Sequence, residues 1–412
     1  MTSLWLTLVL LATPPVAPVA PGGPVDLDDP TGQALAPFHA SLRRTAVGIE
    51  KTRVLFFGAS HTAADLLTGR LRERLQGRFG DGGHGFFMPA KPWRSYRKQH
   101  LVFDAPKRDS HRWEWEFVRI KGEPRPDGLY GLAGMAVTAT KKEQWSKFHT
   151  ATDGGIGTRA GLLELWYDRQ PSGGDLTITI KGQKKQRLKT KGVRGLGVFE
   201  AGFLDRPQSF ALLPKGNGPV RIYGAILERS RAGVVLDNLG INGAKAASQL
   251  FWNESLWHTL VQRRKPALVV LAYGTNESSD EQQTIPEYEL DLRRVLARVR
   301  RAAPAASCVL VGPSDHPLSP SDRKERRDPE GELRFRHRVR TQHVIDTQRR
   351  VSREYGCGFF DTVAATGGRF SIVSWVDSEP QLAWHDYVHL TPAGYVVLGD
   401  RLHDALMAGF DR

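Results

Sequence analysis

A serine lies at a corner of the chain where covalent chemistry is favoured. Ser60 follows the apolar run "RVLFFG" and precedes an amphipathic segment, so the pattern predicts a strand that passes into a helix almost without a loop. Ligands bind at the carboxyl ends of strands in open parallel sheets, and the free N–H groups of a helix N-terminus favour a developing negative charge. The position suits a nucleophile that attacks a carbonyl group, although a serine before a helix is also a common N-cap.

A base and a carboxylate for this serine are found near the end of the chain. The segment "WHDYVHLTPAGY" places Asp386 three residues before His389 and just ahead of a predicted helix. A serine hydroxyl needs a base to take its proton, and the base needs a carboxylate to fix its tautomer. An Asp-x-x-His turn can present both groups towards one point.

Hydrogen-bond donors for a developing oxyanion follow two other apolar runs. "LAYGTNES" supplies Gly274 and Asn276, and "NLGINGAKA" supplies Gly240 and Gly243. Glycine N–H groups and an asparagine amide are suitable donors for the oxyanion of acyl transfer. Each residue also has an ordinary explanation, because glycine and asparagine are common where strands end. Their occurrence in order at successive strand ends favours the catalytic interpretation.

The elements that would position these residues belong to an α/β fold. Short apolar runs with helical segments between most of them indicate a parallel sheet covered by helices on both faces, that is, a flavodoxin-like three-layer sandwich with a five-stranded parallel sheet. The runs are "RVLFFG", "GVVLDNLG", "ALVVLAYG", "CVLVG" and "GFFD". The closing helix has Thr391 as a predicted N-cap and Pro392 at its first position.

The helical period disappears from about Trp93 to Arg231, where short alternating runs separated by Gly, Pro, Asp and Lys are typical of an all-β sandwich or jelly roll. We therefore expect a β domain inserted into the α/β domain. The expected ranges are a signal peptide (1–20), the first part of the α/β domain (21–92), the inserted domain (93–232) and the second part of the α/β domain (233–412). A charged, proline-marked loop is expected at Pro313–Arg338, near the working face.

Composition limits the partners. The chain has 412 residues, 40% of them hydrophobic, and a formal charge of +14, which favours an anionic partner. No nucleic-acid-binding motif is evident, so an acidic polysaccharide is the better expectation. The apolar run Leu4–Ala12 is too short to cross a bilayer and resembles a secretory signal peptide. We expect an exported, monomeric protein in the periplasm or outside the cell, without a transmembrane segment in its mature form.

Neither cysteine is placed like a nucleophile. Cys308 and Cys357 each begin an apolar run, and both are expected as small core residues. The sequence leaves their pairing open, but buried parallel strands rarely offer disulfide geometry, which favours free thiols. His61, His316 and His385 have no convincing set of neighbouring ligands, so no metal and no cofactor are expected.

The ordered set Gly58-Ala59-Ser60, Gly243, Gly274-Thr275-Asn276 and Asp386-x-x-His389 resembles the four blocks of the SGNH (GDSL-type) hydrolases. The resemblance covers about Lys51–Pro89 and Gly233–Phe410 and implies the SGNH hydrolase fold. It also implies a catalytic triad of Ser60, His389 and Asp386, and an oxyanion hole made by the Ser60 N–H, the Gly243 N–H and the Asn276 side chain. Gly243 is preferred to Gly240 because "GING" fits the family pattern better. Residues expected to line the substrate cleft are His61, Gly274, Thr275 and His385.

One residue departs from this family's pattern. Ala59 stands where the family usually has aspartate. That residue mainly supports the turn, so activity is still expected, with some loss of turn rigidity.

An SGNH domain interrupted by a β sandwich is similar to the bacterial peptidoglycan O-acetylesterases. The resemblance implies removal of O-acetyl groups from peptidoglycan or a similar anionic polymer. The cationic ribbon Lys181–Arg194, with seven basic and no acidic residues, would either hold that polymer or only keep a hairpin soluble. Tryptophans that would either stack on sugars or fill the sandwich core are Trp113, Trp115, Trp145 and Trp166.

Other functions stay open. The same triad would serve an esterase acting on acetylated xylan, on an exopolysaccharide or on a lipid ester. A catalytically weak wall-binding protein is a further alternative.

Overall fold

The computed structural model describes residues 22–104, 114–119, 125–318 and 335–411. The predicted signal peptide and Trp113 lie outside the described residues, as does most of the predicted loop Pro313–Arg338. The strands, in chain order, are β1 (Lys51–Gly58), β2 (Gly83–Phe87), β3 (Leu101–Phe103), β4 (Glu116–Arg119), β5 (Met135–Ala139), β6 (Ser146–Thr150), β7 (Ala160–Arg169), β8 (Asp175–Ile180), β9 (Gln186–Lys189), β10 (Gly195–Arg206), β11 (Ser209–Pro214), β12 (Val220–Glu228), β13 (Gly233–Gly240), β14 (Leu268–Ala272), β15 (Ser307–Val311) and β16 (Gly358–Phe360).

The helices alternate with the strands of the α/β part. In chain order they are α1 (Ala36–Ala46), α2 (Ser60–Ala63), α3 (Leu67–Phe79), α4 (Glu254–Arg264), α5 (Thr275–Ser278), α6 (Ile285–Ala302), α7 (Val339–Glu354), α8 (Thr362–Thr366), α9 (Ser371–Val376) and α10 (Pro392–Met407), with a 3-10 helix at Ala246–Phe251. Thr391 caps α10 by accepting a hydrogen bond from the Gly394 N–H, as the sequence predicts.

A five-stranded parallel sheet forms the centre of the α/β part, in the order β13-β1-β14-β15-β16. Adjacent residues of β1 enter different cores: Leu55 and Phe57 pack on one face, Val54 and Phe56 on the other. Helix α6 lies over the first face and α3 and α10 lie over the second. Apolar side chains on both faces of the strands are typical of a helix-covered parallel sheet. The predicted α/β sandwich is confirmed.

The register of the central strands sets the position of the site. Gly58 at the end of β1 lies opposite Gly240 of β13 and Ala272 of β14. These three strands therefore end level at one edge of the sheet. Ser60, Gly243 and Asn276 follow these positions by two, three and four residues, so the chain brings them to the same edge.

Two antiparallel sheets accompany the parallel sheet. One has the order β10-β7-β12-β5-β4, with β2 also paired to β12, and the other has the order β3-β6-β11-β8-β9. Trp166 from the first and Phe148 and Phe210 from the second share one hydrophobic core. This arrangement agrees with the predicted inserted β structure. Trp166 and Trp115 are buried, and Trp145 is half-buried under the Lys147 ammonium group.

The pairing of strand β2 does not follow the predicted domain boundary at residue 93. β2 falls within the range assigned to the α/β domain, yet it pairs with β12 of the first antiparallel sheet. The Phe86 N–H on β2 also donates to Asp237 on β13, so this strand touches both parts. The glycine-rich sequence "GHGFF" carries little strand signal, because glycine is depleted in strands.

The expectation of free thiols is wrong. Cys308 and Cys357 form a disulfide across 49 residues of sequence. They precede Val309 and Gly358, which are paired in the register of β15 and β16, so the two cysteines lie side by side on neighbouring strands. The two cysteines come within bonding distance because β15 and β16 are neighbours in the sheet. The two short apolar runs in the sequence do not reveal that order.

Candidate active site

Ser60 is the first residue of α2 and follows β1 after Ala59 alone. The strand therefore ends directly beneath the serine, as the sequence predicts. The Gly58 position is tightly packed, because an added Cβ would lie 2.0 Å from the Thr62 Oγ1 atom. Only glycine fits where the chain turns this sharply from the sheet into the helix.

Ser60, His389 and Asp386 form a continuous hydrogen-bonded chain. The Ser60 Oγ atom lies 2.8 Å from His389 Nε2, and His389 Nδ1 lies 2.7 Å from Asp386 Oδ2. The other Asp386 carboxylate oxygen accepts hydrogen bonds from the backbone N–H groups of Val388 and His389. Residues 329 positions apart in sequence are thus in hydrogen-bond contact.

Asp386 is held in its ionised form. Partial burial opposes ionisation, but the hydrogen bond to the His389 imidazole and the two backbone N–H donors outweigh it and lower the pKa of Asp386 to about 2. A negatively charged carboxylate keeps the proton of the imidazole on Nδ1 and leaves Nε2 free to accept one from Ser60. The turn thus selects the tautomer that a general base requires.

Polar side chains outside the predicted set brace the turn after Ser60. Ala59 caps α2 without a side-chain hydrogen bond. Asn238 at the end of β13 donates to the Thr62 carbonyl at 2.7 Å and to Asp65 Oδ1 at 2.9 Å. Asp65 also accepts a hydrogen bond from Arg72 at 2.7 Å. These contacts anchor the turn from the neighbouring strand.

Asp65 is itself a buried charge with several partners. Burial would raise the pKa of this carboxyl, but the charges of Arg72 and Lys98, together with hydrogen bonds, lower it to about 2. It is therefore an ionised anchor at neutral pH. Its φ of 51° lies in the left-handed region that aspartate tolerates better than most residues.

Gly243 and Gly240 have different surroundings. The Gly240 N–H already donates to the Asn238 side chain at 3.0 Å, and a Cβ at Gly240 would lie 2.3 Å from the Ala63 nitrogen. Gly243 is exposed, has a φ of +76° and has open space around it. The position of Gly243 agrees better with a backbone donor that faces a ligand.

Asn276 and Gly243 are joined through neighbouring groups. Asn276 Nδ2 donates to the Ala244 carbonyl at 2.8 Å, which fixes the side-chain amide against the loop that carries Gly243. A side-chain amide has two N–H groups, so a second donor remains beside this contact. Both predicted oxyanion donors therefore belong to one connected structure.

Glu277 was not predicted from the sequence, yet it links these two segments. Its buried carboxylate accepts from the Ala246 N–H at 2.7 Å through Oε1 and from the Gly274 N–H at 2.9 Å through Oε2. Burial raises the pKa of Glu277, and the backbone N–H donors act in the opposite direction. The residue follows Asn276 in "GTNES", but a single glutamate beside a turn carries no signal of burial.

His61 lies beside the triad and is fixed at both ring nitrogens. Its Nδ1 is 2.9 Å from the Tyr395 hydroxyl and its Nε2 is 3.3 Å from Ser314 Oγ. Burial, with the nearby His389 next in importance, lowers the pKa of His61 to about 3. The neutral imidazole is a wall of the site, and its centroid lies 5.2 Å from that of His389.

The remaining cleft residues differ in accessibility. Thr275 is half-buried, and its Oγ1 accepts from the Ser314 N–H at 3.4 Å. Gly274 is buried with its N–H bonded to Glu277, which gives it a supporting position. His385 is exposed, and so is its unpredicted neighbour Trp384, on the turn that carries Asp386.

The described residues were compared with the requirements of a metal site and of a membrane-spanning helix. Within the described ranges, no group of three or more His, Cys, Asp or Glu side chains could hold a metal ion. His316, a histidine considered in sequence, contacts the Ser279 hydroxyl at 3.1 Å. None of the helices in the described parts of the chain is both long and apolar enough to span a bilayer.

Comparison with known proteins identifies the class of this fold. The GDSL-like lipase/acylhydrolase family matches residues 201–397, a range that contains Gly243, Asn276, Asp386 and His389 but not Ser60. No curated protein matches the chain.

A solved peptidoglycan O-acetylesterase is similar over nearly the whole chain, with 25% identity, a TM-score of 0.72, and coverage of 91% of this chain and 96% of that one. A putative GDSL-like lipase from Parabacteroides merdae has 18% identity and a TM-score of 0.30, covering 42% of this chain and 72% of its own. Residues 201–397 thus match the GDSL-like acylhydrolase family, and this match, together with the likeness to the O-acetylesterase over 91% of the chain, supports the assignment of the chain as a carboxylic ester hydrolase.

Proposed function

We propose that Ser60 is the nucleophile of this esterase, His389 its general base and Asp386 the carboxylate that orients the base. The observation that carries the proposal is the unbroken chain from Ser60 Oγ through both imidazole nitrogens to Asp386, with contacts of 2.8 Å and 2.7 Å. These are hydrogen-bond distances for a nucleophile, a base and an orienting group.

The reaction proceeds in two balanced halves. Ser60 Oγ transfers its proton to His389 Nε2 as the oxygen attacks the acetyl carbonyl carbon. His389 then gives this proton to the departing sugar oxygen, the C–O ester bond breaks, and an acetyl-serine remains. Water attacks the acetyl group after losing a proton to His389, and the same proton returns to Ser60 as acetate leaves.

The oxyanion of each tetrahedral intermediate is stabilised by the N–H groups of Ser60 and Gly243 and the side chain of Asn276. The connected position of Gly243 and Asn276 supports this assignment, because donors fixed in advance need no reorganisation during the reaction. The fixed, neutral imidazole of His61 and the hydroxyl of Thr275 line the acyl side. His385 and Gly274 contribute to the cleft around them. No metal or cofactor takes part in these steps.

The substrate we propose is an O-acetylated envelope polysaccharide, and peptidoglycan in particular. The likeness to a peptidoglycan O-acetylesterase over 91% of the chain supports this choice. The basic residues of the cationic ribbon are exposed, and β9 within it lies at a sheet edge, which suits contact with an anionic polymer. Lysines at a sheet edge also prevent strand pairing between molecules, so both roles fit.

The domain ranges and location belong to the same proposal. Residues 93–232 would form a carbohydrate-binding-like unit within an α/β domain made of 21–92 and 233–412. Residues 1–20 would direct export to the periplasm or the cell exterior, where peptidoglycan lies. The mature protein would act as a monomer.

Acetate release from O-acetylated peptidoglycan, measured for the wild type and Ser60→Ala, tests this proposal. We expect release by the wild type and a loss of roughly 10³-fold or more in Ser60→Ala. Ser172→Ala, which changes an exposed serine away from the triad, should behave as the wild type. Full activity in Ser60→Ala would refute the nucleophile.

Parallel substrates test the choice of polymer. Release from acetylated xylan or from lipid esters, but not from peptidoglycan, would contradict the proposed substrate. Retention on insoluble peptidoglycan without hydrolysis of any ester would instead favour a catalytically weak wall-binding protein.

A further inference from the structure

An open groove of about 540 Å³ lies beside the predicted oxyanion hole. Its walls come from the loop and 3-10 helix that follow Gly243 and from the segment that follows Asn276, together with α6. The charged and large apolar side chains that line it are Lys245, Phe251, Asp280, Glu287, Leu290, Asp291 and Arg294. Its volume is in the range of sites that bind small molecules.

The groove lies near the site because the same chain segments carry residues of both. Lys245 follows Gly243 by two residues, so their Cα atoms lie at most about 7.6 Å apart. Asp280 follows Asn276 by four residues and lies two residues beyond the end of α5, so the Cα atoms of Asp280 and Asn276 lie at most about 15 Å apart. Lys245 and Asp280 form an ion pair that connects the two segments at the end of the groove nearest the site.

Two large apolar side chains face solvent in this groove. Phe251 is 56% exposed and Leu290 is 49% exposed. Single exposed apolar residues are common on protein surfaces, whereas these two lie together in one groove, and ligand-binding grooves are lined mainly by apolar and aromatic side chains. A sugar ring has an apolar C–H face that packs on an aromatic ring and hydroxyl groups at its edge that stay in water.

Four of the five charged groups in the groove form two opposite-charge pairs, and the fifth, Glu287, caps a helix. Lys245 binds Asp280, Arg294 lies 3.4 Å from Asp291 Oδ1, and the Glu287 carboxylate caps the start of α6. These five groups sum to −1, although the whole chain carries +14. Among the described residues that line the groove, both cations face a carboxylate, so the groove attracts the anionic parts of a polymer less than the cationic ribbon does.

We propose that this groove is a subsite for an uncharged sugar residue of the polysaccharide, next to the acetylated one, with Phe251 as its stacking surface. The inference rests on the proposed function and adds the path that the glycan chain takes beyond the acetylated sugar. The cationic ribbon and this groove would then bind different parts of one polymer: the ribbon its anionic groups and the groove a neutral ring.

The experiment compares kcat/KM for acetate release from O-acetylated peptidoglycan with kcat/KM for p-nitrophenyl acetate. The aryl ester has no sugar to occupy the groove, so the ratio of the polymer value to the aryl ester value reports on contacts with the polymer, and its change on a groove substitution reports on the subsite. We expect Phe251→Ala to lower the ratio about 10-fold and Leu290→Ala to lower it less. Leu204→Ala, which removes a 71% exposed leucine from β10, should leave both values as in the wild type.

Two further measurements separate the possible occupants. Because the contact is apolar, the loss in Phe251→Ala should be the same in 50 mM and 500 mM salt, and it should persist on glycan stripped of its stem peptides. A loss that disappears at high salt or without stem peptides would show that the groove holds peptide, and would overturn the proposal.

Different results would refute the groove subsite and the proposed substrate. An unchanged ratio in Phe251→Ala, with active wild type on the polymer, would refute the subsite and leave the esterase assignment intact. A wild type that cleaves the aryl ester but no O-acetylated polysaccharide would refute the proposed substrate and, with it, the subsite.

Discussion

Glu277 provides a sharp test of how the proposed oxyanion donors are held. Its two carboxylate oxygens each accept one backbone N–H, from Ala246 on the Gly243 side and from Gly274 on the Asn276 side. In Glu277→Gln the side chain keeps its size, but only one of its two polar ends can accept a hydrogen bond. The amide nitrogen must then face a buried N–H, which loses its acceptor.

The magnitude follows from this single lost acceptor. A buried, unsatisfied donor costs about 1–3 kcal/mol. If the loop that carries this N–H shifts to find a new acceptor, the donors of the oxyanion hole are no longer aligned with the transition state. Loss of the same energy from transition-state stabilisation corresponds to a fall in kcat of roughly 5- to 150-fold. We expect kcat for p-nitrophenyl acetate to fall by about 10- to 100-fold with little change in KM.

A double-mutant cycle distinguishes positioning from general damage. Asn276→Ala alone should lower kcat by about 10² to 10³. If Glu277 acts through the Asn276 and Gly243 segments, its replacement should add little in the Asn276→Ala background, because the donor it positions is already absent. The matched control is Glu281→Gln, an exposed glutamate four residues further on. Fully additive losses, or a kcat in Glu277→Gln within twofold of the wild type, would refute this reasoning.

Three other predictions concern packing and stability. Cys308→Ser/Cys357→Ser removes the disulfide, which joins residues 49 positions apart and so restricts the unfolded chain. The free energy of unfolding measured by urea denaturation should fall by about 4 kcal/mol. An unchanged free energy would contradict a disulfide in solution. Asp65 has its pKa lowered to about 2 in the folded state, so its ionised form stabilises the fold by about 2.6 kcal/mol above the unfolded pKa of about 3.9. In the wild type most of this stability should be lost as the pH falls from 5 through 2, measured by urea denaturation at each pH. Asp65→Asn should show no such pH-dependent loss, and an equal loss in that variant would contradict the assignment. Gly240→Ala should reduce aryl esterase activity more than Gly243→Ala does. A Cβ at position 240 would collide with the Ala63 nitrogen, whereas a Cβ at position 243 meets open space and faces only an unfavourable φ. A larger loss in Gly243→Ala would show that the Gly243 backbone is the more constrained.

Local sequence signals account for much of the fold and of the site. The run "RVLFFG" before Ser60 and the Asp-x-x-His turn before α10 are local signals, because each involves only a few consecutive residues. In the structure Ser60 follows the end of β1 and the turn precedes α10. The parallel sheet is predicted because short apolar runs without alternation need helices on both faces. Level strand ends then bring Ser60, Gly243 and Asn276 to one edge without further information.

The sequence does not reveal features that depend on which elements become neighbours. Cys308 and Cys357 pair because β15 and β16 are adjacent in register, and the two runs alone do not fix that order. Asn238 and Glu277 act through buried contacts to segments distant in sequence, and either residue alone has the appearance of an ordinary turn residue. β2 was missed because its pairing with β12 overrides the weak strand propensity of glycine.

The nucleophile itself is the central claim, and covalent labelling tests it most directly. The protein is treated with a serine-reactive fluorophosphonate, digested and analysed by mass spectrometry to locate the adduct. We predict an adduct on Ser60, none in Ser60→Ala, and labelling at least about 100-fold slower in His389→Ala because the base is absent. An unlabelled Ser60 in a preparation that hydrolyses aryl acetates, or an adduct on another side chain, would contradict the account.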